Sequence, residues 1–273
     1  MTHSIEARPS RGALPRPGTP AGDQARDAFI ADVLAITGDT RLFWLPRSSE
    51  TTTSTDRSRN ARTFTYDATV ASRYSQQGSG VAVTFDGTDD EADVPDADSL
   101  SFGDSQTDEP LSIVVVFKPT VEATNRVFLC KDDYTTGNTF REWTFQIEGN
   151  GYLIGYVFDN SAAARLGRSY QVALTSVWQM AAMTYDGSAA STGIRIYRNA
   201  ARVDNAADDS GTYTAMENLG ETVKLGHNTV AAGSAGDFFD GDMAMVLLVA
   251  KQLSADENLQ LKGLVNAYFD LTL

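Results

Sequence analysis

From residue 40 onward the apolar residues of this chain recur with period two, and turn residues interrupt them every 8–15 positions. Side chains alternate across a strand, so that rhythm calls for half-buried β-strands joined by short turns. RLFWLP is a first strand and VAVTF another, with the polar run SSETTTSTDRSRNAR between them read as loop. LSIVVVFKP is apolar on both parities, which places it centrally in a sheet with both faces covered. VWQMAAMTYDG, GIRIYRNAARV, TVKLGHN and MAMVLLVA add further strands, about ten in all.

The clearest hairpin is EWTFQIEGNGYLIGYVFD, because Asn150-Gly151 is a strong signal for a two-residue turn. That register sets Ile147 opposite Ile154, Phe145 opposite Tyr156 and Trp143 opposite Phe158 on one core-facing side. Thr144, Gln146 and Glu148 then share a mixed, accessible face with Val157, Gly155 and Leu153.

Two helices flank the strands. Residues 23–39 carry Phe29, Ile30, Val33 and Leu34 at helical spacing, with Asp23 as N-cap and Gly38 as stop. At the C-terminus Ser254 and Glu257 form a capping box ahead of a stripe of Leu259, Leu261, Leu264, Val265 and Phe269. Residues 1–22 are proline-rich, with Arg8, Arg11 and Arg16 against a single Glu6, and read as an extended arm without a core of its own. An arm of this kind is expected to dock on a neighbour, with Phe29 and Val33 of the following helix as further docking residues.

Lys and Arg total 22 against 36 Asp and Glu, a formal charge of −14. That balance argues against nucleic acid as the main partner, since phosphates must be neutralised by cations. No stretch approaches the ~20 apolar residues of a membrane helix, and the first residues lack the apolar segment of an export signal. The chain is therefore expected to be made in the cytoplasm and to bind no membrane. The single cysteine, Cys130, lies in an apolar run and reads as a buried strand thiol.

A search for catalytic patterns finds none. Glu142 and Glu148 point to one face of the predicted hairpin, but six residues of strand set them roughly 20 Å apart. Paired glycosidase carboxyl groups lie about 5–9.5 Å apart. The histidines are His3 and His227, the latter read as a surface turn residue. In TFDGTDDEADVP an EF-hand loop starting at Asp89 fails, because Val94 stands where glycine is needed.

Several short motifs in order carry a resemblance. VTFDGTDDEADVPDADSLSFGD is similar to a strand signature with a Phe-Asp-Gly turn, a valine-proline and a serine-leucine. LSIVVVFKP resembles a central strand. WQMAAMTYDGS with GIRIYRNAARV resembles a strand pair, and FDGDMAMVLLVAKQLSADENLQL a closing strand with its capped helix. Over roughly residues 40–269 the chain thus resembles the laminin-G-like, concanavalin-A-like jelly-roll family. The resemblance implies an all-β, two-sheet antiparallel sandwich. One departure is Arg198-Asn199-Ala200, where the family turn ends in glycine; a longer turn, or one of another type, is expected there.

Members of that family include lectins, glycan hydrolases, adhesion modules and phage virion proteins, so fold alone does not select a function. The resemblance admits calcium as a cofactor, with Asp89, Asp90, Asp237, Asp240 and Asp242 as candidate ligands. It also admits glycan contact through Tyr134, Gln146, Tyr152 and Tyr213. The expectation is a non-enzymatic virion structural protein, a capsid decoration or minor capsid protein on the virion surface. It would form homo-oligomers and contact the major capsid protein or the tail. A tail or receptor-binding module for host-surface glycan is the alternative, and a glycan hydrolase is disfavoured.

Overall fold

In a computed structural model, residues 21–67, 73–120, 124–135, 138–230 and 234–273 are described. Two sheets form a sandwich. The first runs in the order Ala201–Arg202, Arg195–Arg198, Gln179–Tyr185, Leu111–Pro119, Asp240–Val249, Gly80–Asp86 and Tyr74–Gln77, with Thr40–Trp44 also on Asp240–Val249. The second runs Ala206–Ala207, Ala164–Tyr170, Leu153–Asp159, Asn138–Ile147, Arg126–Thr135, Val223–Leu225, Ala92–Val94, Thr63–Tyr66 and Thr53–Thr55. A small hairpin, Asn228–Val230 with Ser234–Gly236, joins it where Thr229 pairs with Asp133 of Arg126–Thr135. The described residues hold 19 strands, more than the periodicity predicts, because several are only two to four residues long. One of these, Thr53–Thr55, lies in the run read as loop and pairs with Thr63–Tyr66.

LSIVVVFKP does occupy the middle of the first sheet. Ile113, Val115 and Phe117 face the inter-sheet core, while Val114 and Val116 face the opposite side. That opposite side is covered by both helices, Ala21–Thr37 and Ala255–Phe269. Phe29 stacks on Tyr268 with ring centroids 4.2 Å apart and also meets Phe43 and Phe269 edge-on. Phe29 and Val33 are thus buried against their own chain, which corrects their reading as docking residues. An amphipathic stripe marks a face that must be covered without saying by what. The arm residues Arg8, Arg11 and Arg16 lie outside the described residues.

The capping box of Ser254 with Glu257 is present. Of the stripe that follows, Leu261, Val265 and Phe269 are buried, but Leu259 is 60% exposed. The turn after Tyr197 is short, not long: Arg198 pairs with Ala201, and both Asn199 (φ 50°) and Ala200 (φ 67°) are left-handed. Asn199 is tied in place by donating to the Met180 carbonyl and accepting from the Met180 N–H. Ala200 carries the strain of that conformation, so Ala200→Gly should stabilise the domain by roughly 1 kcal/mol or less in urea unfolding.

The hairpin register differs from the predicted one by a single residue. Ile147 pairs with Leu153, Gln146 with Ile154, Phe145 with Gly155, Thr144 with Tyr156 and Trp143 with Val157. Glu148 and Tyr152 close a loop of three residues, Gly149, Asn150 and Gly151, with Gly151 at φ 81°. A three-residue loop ending in a left-handed glycine is the next commonest hairpin after the two-residue form. The slip moves every side chain of one strand to the other face. Leu153 and Val157 enter the core, and Gly155 faces it so closely that a Cβ would sit 2.5 Å from Met183 Sδ. Ile154, Tyr156 and Phe158 form a separate cluster on the outer face of the second sheet.

Candidate functional site

That outer face carries the most developed binding geometry among the described residues. Arg141 and Arg165 lie over the displaced aromatics. The Arg141 guanidinium carbon is 3.8 Å from the Phe158 ring centroid and 4.8 Å from that of Tyr134, and Arg165 is 5.0 Å from Tyr156. Each cation is held by a carboxylate as well as a ring. Arg141 donates from Nε and Nη2 to the two oxygens of Asp132 at 2.7 and 2.9 Å, a bidentate pair that fixes the guanidinium plane. Arg165 donates to Asp208 at 2.8 Å, and the Tyr156 hydroxyl donates to the other oxygen of Asp208 at 2.5 Å. Burial works to raise the Asp208 pKa, yet the hydrogen bonds from Arg165 and Tyr156 outweigh it and hold that carboxyl below its ordinary range.

Between these groups opens a cleft of about 260 Å³, lined by Tyr134, Arg141, Phe158, Asn160, Arg165 and Ser210 among others. Tyr134 is 59% exposed, with Arg141 against its ring. A shift of strand register in Arg126–Thr135 between Lys131 and Asp132 aligns Asp132 with Arg141 and brings both to this end of the face. Of the glycan candidates, then, Tyr134 enters the cleft. Gln146 shares the outer face farther along its strand, and Tyr152 sits beside the hairpin loop. Tyr213 is not available, since its hydroxyl donates to Asp108 at 2.7 Å. Arg141, Phe158 and Arg165 were missed, because the register error assigned Phe158 to the core.

A second polar cluster lies at the edge of the inter-sheet core. Lys131 Nζ contacts Glu142 Oε1, Ser101 Oγ and the Leu219 carbonyl at 2.7 Å each, and Asp96 Oδ1 at 2.8 Å. Glu142 is fully buried and also accepts from the Leu219 N–H at 2.8 Å. It therefore does not share a face with Glu148, which lies beyond the other end of its strand and accepts from the Tyr156 hydroxyl at 3.1 Å. Ser101 beside a lysine has the outline of a nucleophile and base, but Lys131 Nζ donates to the Ser101 hydroxyl oxygen and is engaged by Glu142, Asp96 and the Leu219 carbonyl as well. The cluster clips the loops around Asp96–Ser101 and Asn218–Leu219 to the sheet.

Burial pushes the Glu142 carboxyl up to about 7 against the opposing attraction of Lys131. With the folded pKa raised, this group's contribution to stability is full below the ordinary glutamate range and is lost as pH rises through about 7. Glu142→Gln should flatten the fall in stability between pH 5 and pH 8, read by urea unfolding at the two pH values.

Of the predicted calcium ligands, Asp89 and Asp90 gather with Asp86, one carboxylate oxygen of each lying within 4.8 Å of the others. Asp90 is ion-paired with Arg73 and accepts from the Asp86 N–H, while Asp86 accepts from Thr88 and Asp89. Asp240 lies 3.7 Å from Arg126, Asp242 accepts from Thr84 Oγ1 at 2.6 Å, and burial raises the Asp237 carboxyl. Calcium takes six to eight oxygens, and the Asp86, Asp89 and Asp90 group offers three carboxylates beside the Arg73 guanidinium. The acidic loop itself crosses between sheets, leaving the first after Asp86 and entering the second at Ala92. Gly87 (φ 73°) makes the corner, where a Cβ would sit 2.8 Å from Asp240 Cβ.

His227 is not a surface residue. It is 3% exposed, with Nε2 3.0 Å from Asp93 Oδ1 and Nδ1 3.1 Å from Glu91 Oε2. Cys130 is fully buried, and burial raises its thiol pKa, so it lacks the exposed thiolate of a reactive cysteine.

The fold has known counterparts. The binding domain of Paraclostridial Mosquitocidal Protein 1 superposes with a TM-score of 0.57 at 8% identity, covering 83% of this chain and 52% of that one. The binding domain of botulinum neurotoxin serotype G gives 0.57 at 12% identity, over 84% of this chain and 52% of its own. This chain thus spans about half the length of those two structures. The Ruminococcus gnavus IT-sialidase CBM40 bound to alpha2,3 sialyllactose gives 0.47 at 20% identity, over 58% and 85% of the two chains. These are likenesses of fold. No curated protein matches the sequence. The family model of the concanavalin A-like lectin/glucanases superfamily matches residues 86–257, well over half the chain. With the two-sheet sandwich it describes, that match places this chain in the concanavalin A-like lectin/glucanase superfamily.

Proposed function

We propose that this protein is a non-enzymatic binding module that recognises a glycan through the cleft on the outer face of the second sheet. The observation that carries the proposal is the cleft's composition: an exposed Tyr134 ring beside Arg141, Arg165, Asn160 and Ser210. A sugar presents an apolar face of C–H bonds and a rim of hydroxyls, so it needs a ring to stack on and fixed donors and acceptors around it. The arginine–carboxylate pairs hold their side chains in place before any ligand arrives, which lowers the ordering cost of binding. Membership of a superfamily of lectins and glucanases supports the same reading. The full chain on an array of immobilised glycans should bind a restricted set above background; an array without selective binding overturns the proposal.

The arm supports a setting for this module, display on a virion as a capsid or tail component. Its proline and arginine content suits an extended segment held by a neighbouring subunit, with Arg8, Arg11 and Arg16 as contacts.

A further inference from the structure

The buried histidine and the acidic crossover loop meet in a way that hydrogen bonding alone does not explain. Asp93 Oδ1 lies 3.0 Å from His227 Nε2. A carboxylate only accepts, so a neutral imidazole making this contact donates from Nε2 and keeps its lone pair on Nδ1. That lone pair faces Glu91 Oε2 at 3.1 Å. Both atoms are buried, and neither has a hydrogen-bond partner. At that separation the failure is one of direction: a proton on Nδ1 would not point at the carboxylate oxygen. Two acceptors facing each other repel unless a cation lies between them.

We propose that Glu91 and His227 bind a divalent transition-metal ion, with His227 Nδ1 and Glu91 Oε2 as ligands and Asp93 orienting the imidazole. The arrangement is that of a carboxylate–histidine–metal relay, in which the outer carboxylate fixes the tautomer and raises the basicity of the ligating nitrogen. The relevant oxygen and nitrogen atoms of all three residues lie within 4.8 Å of one another. Phe238 stacks on the imidazole, with centroids 6.2 Å apart and planes at 17°. An imidazole nitrogen selects zinc-like ions over calcium, which prefers an all-oxygen shell. Water completes the coordination. The ion would pin the crossover loop to the turn after Val223–Leu225, where Gly226 lets the Phe85 ring approach to 2.8 Å of its missing Cβ.

Zinc titrated calorimetrically into the full chain should saturate at one ion per chain. The chain has two histidines, so His3→Ala, which should leave binding unchanged, excludes the arm as the source. Glu91→Gln and His227→Gln should abolish saturable binding, and Asp93→Asn should weaken it by about tenfold to a hundredfold. If His227→Gln does not fold, Glu91→Gln, whose side chain is partly exposed, gives the same answer. Absence of saturable zinc binding overturns the proposal. So does binding that survives Glu91→Gln, binding lost in His3→Ala, or calcium bound as tightly as zinc.

Discussion

Lys131→Ala is expected to destabilise the domain by at most about 3–5 kcal/mol, because Glu142, already raised to about 7 beside Lys131, must either stay charged without its partner or take up a proton. Lys131 and Glu142 are both fully buried, and Asp96, Ser101 and Leu219 complete the shell around the ammonium. A loss of that size is a large part of the roughly 5–15 kcal/mol by which a domain is stable. Replacing both partners by apolar residues, Lys131→Met with Glu142→Leu, should cost less than the single substitution, since no charge is then left unpaired. Urea unfolding of the two variants measures the difference. Equal losses would show that the two side chains matter only as packing volume.

Removing residues 1–37 is expected to unfold the chain, whereas removing residues 1–20 leaves it folded. The first deletion uncovers Phe43, Val249, Tyr268 and Phe269 along with losing Phe29 and Val33. Full burial of one such side chain contributes about 1.5–3 kcal/mol, so losing or exposing six at once is comparable to the whole reserve of about 5–15 kcal/mol. The shorter deletion touches none of the described contacts. Thermal melts of the two truncations should therefore differ by loss of the transition against little change. On the virion proposal, the shorter form should also lose particle association, and full occupancy by that form would refute docking through the arm.

The layered fold was legible because its signals are local and repeated. Both-parity apolarity in LSIVVVFKP required a covered central strand, and Ser254 with Glu257 required a helix start. The candidate site was less legible because it depends on one residue of register. Asn150-Gly151 suits a two-residue turn, but Gly149 joins the loop, and that extra residue carries Ile154, Tyr156 and Phe158 to the outer face. Gly155 held the missing signal: a glycine amid bulky strand residues marks a close approach, here to Met183 in the core. With Gly155 turned inward, its neighbours on that strand must face outward.

His227 shows the same limit from another direction. A glycine-histidine-asparagine sequence after a strand reads as an exposed turn, and Gly226 does adopt a left-handed conformation (φ 81°). The side chain nevertheless turns back onto Glu91 and Asp93, more than 130 residues away in sequence. No local pattern encodes that meeting. Likewise Tyr134 was legible as an exposed aromatic, but its partners Arg141 and Phe158 come from two other strands.

The central claim, that the outer face of the second sheet recognises a sugar, is tested most directly by locating the binding site. A glycan selected on the array is titrated calorimetrically into the full chain, into Tyr134→Ala and into Tyr152→Ala. Tyr134 is exposed in the cleft, so its replacement leaves the fold intact and should weaken binding by roughly tenfold or more. Tyr152, at the hairpin loop, should have no effect. Unchanged affinity in Tyr134→Ala, or a loss confined to Tyr152→Ala, would contradict the account.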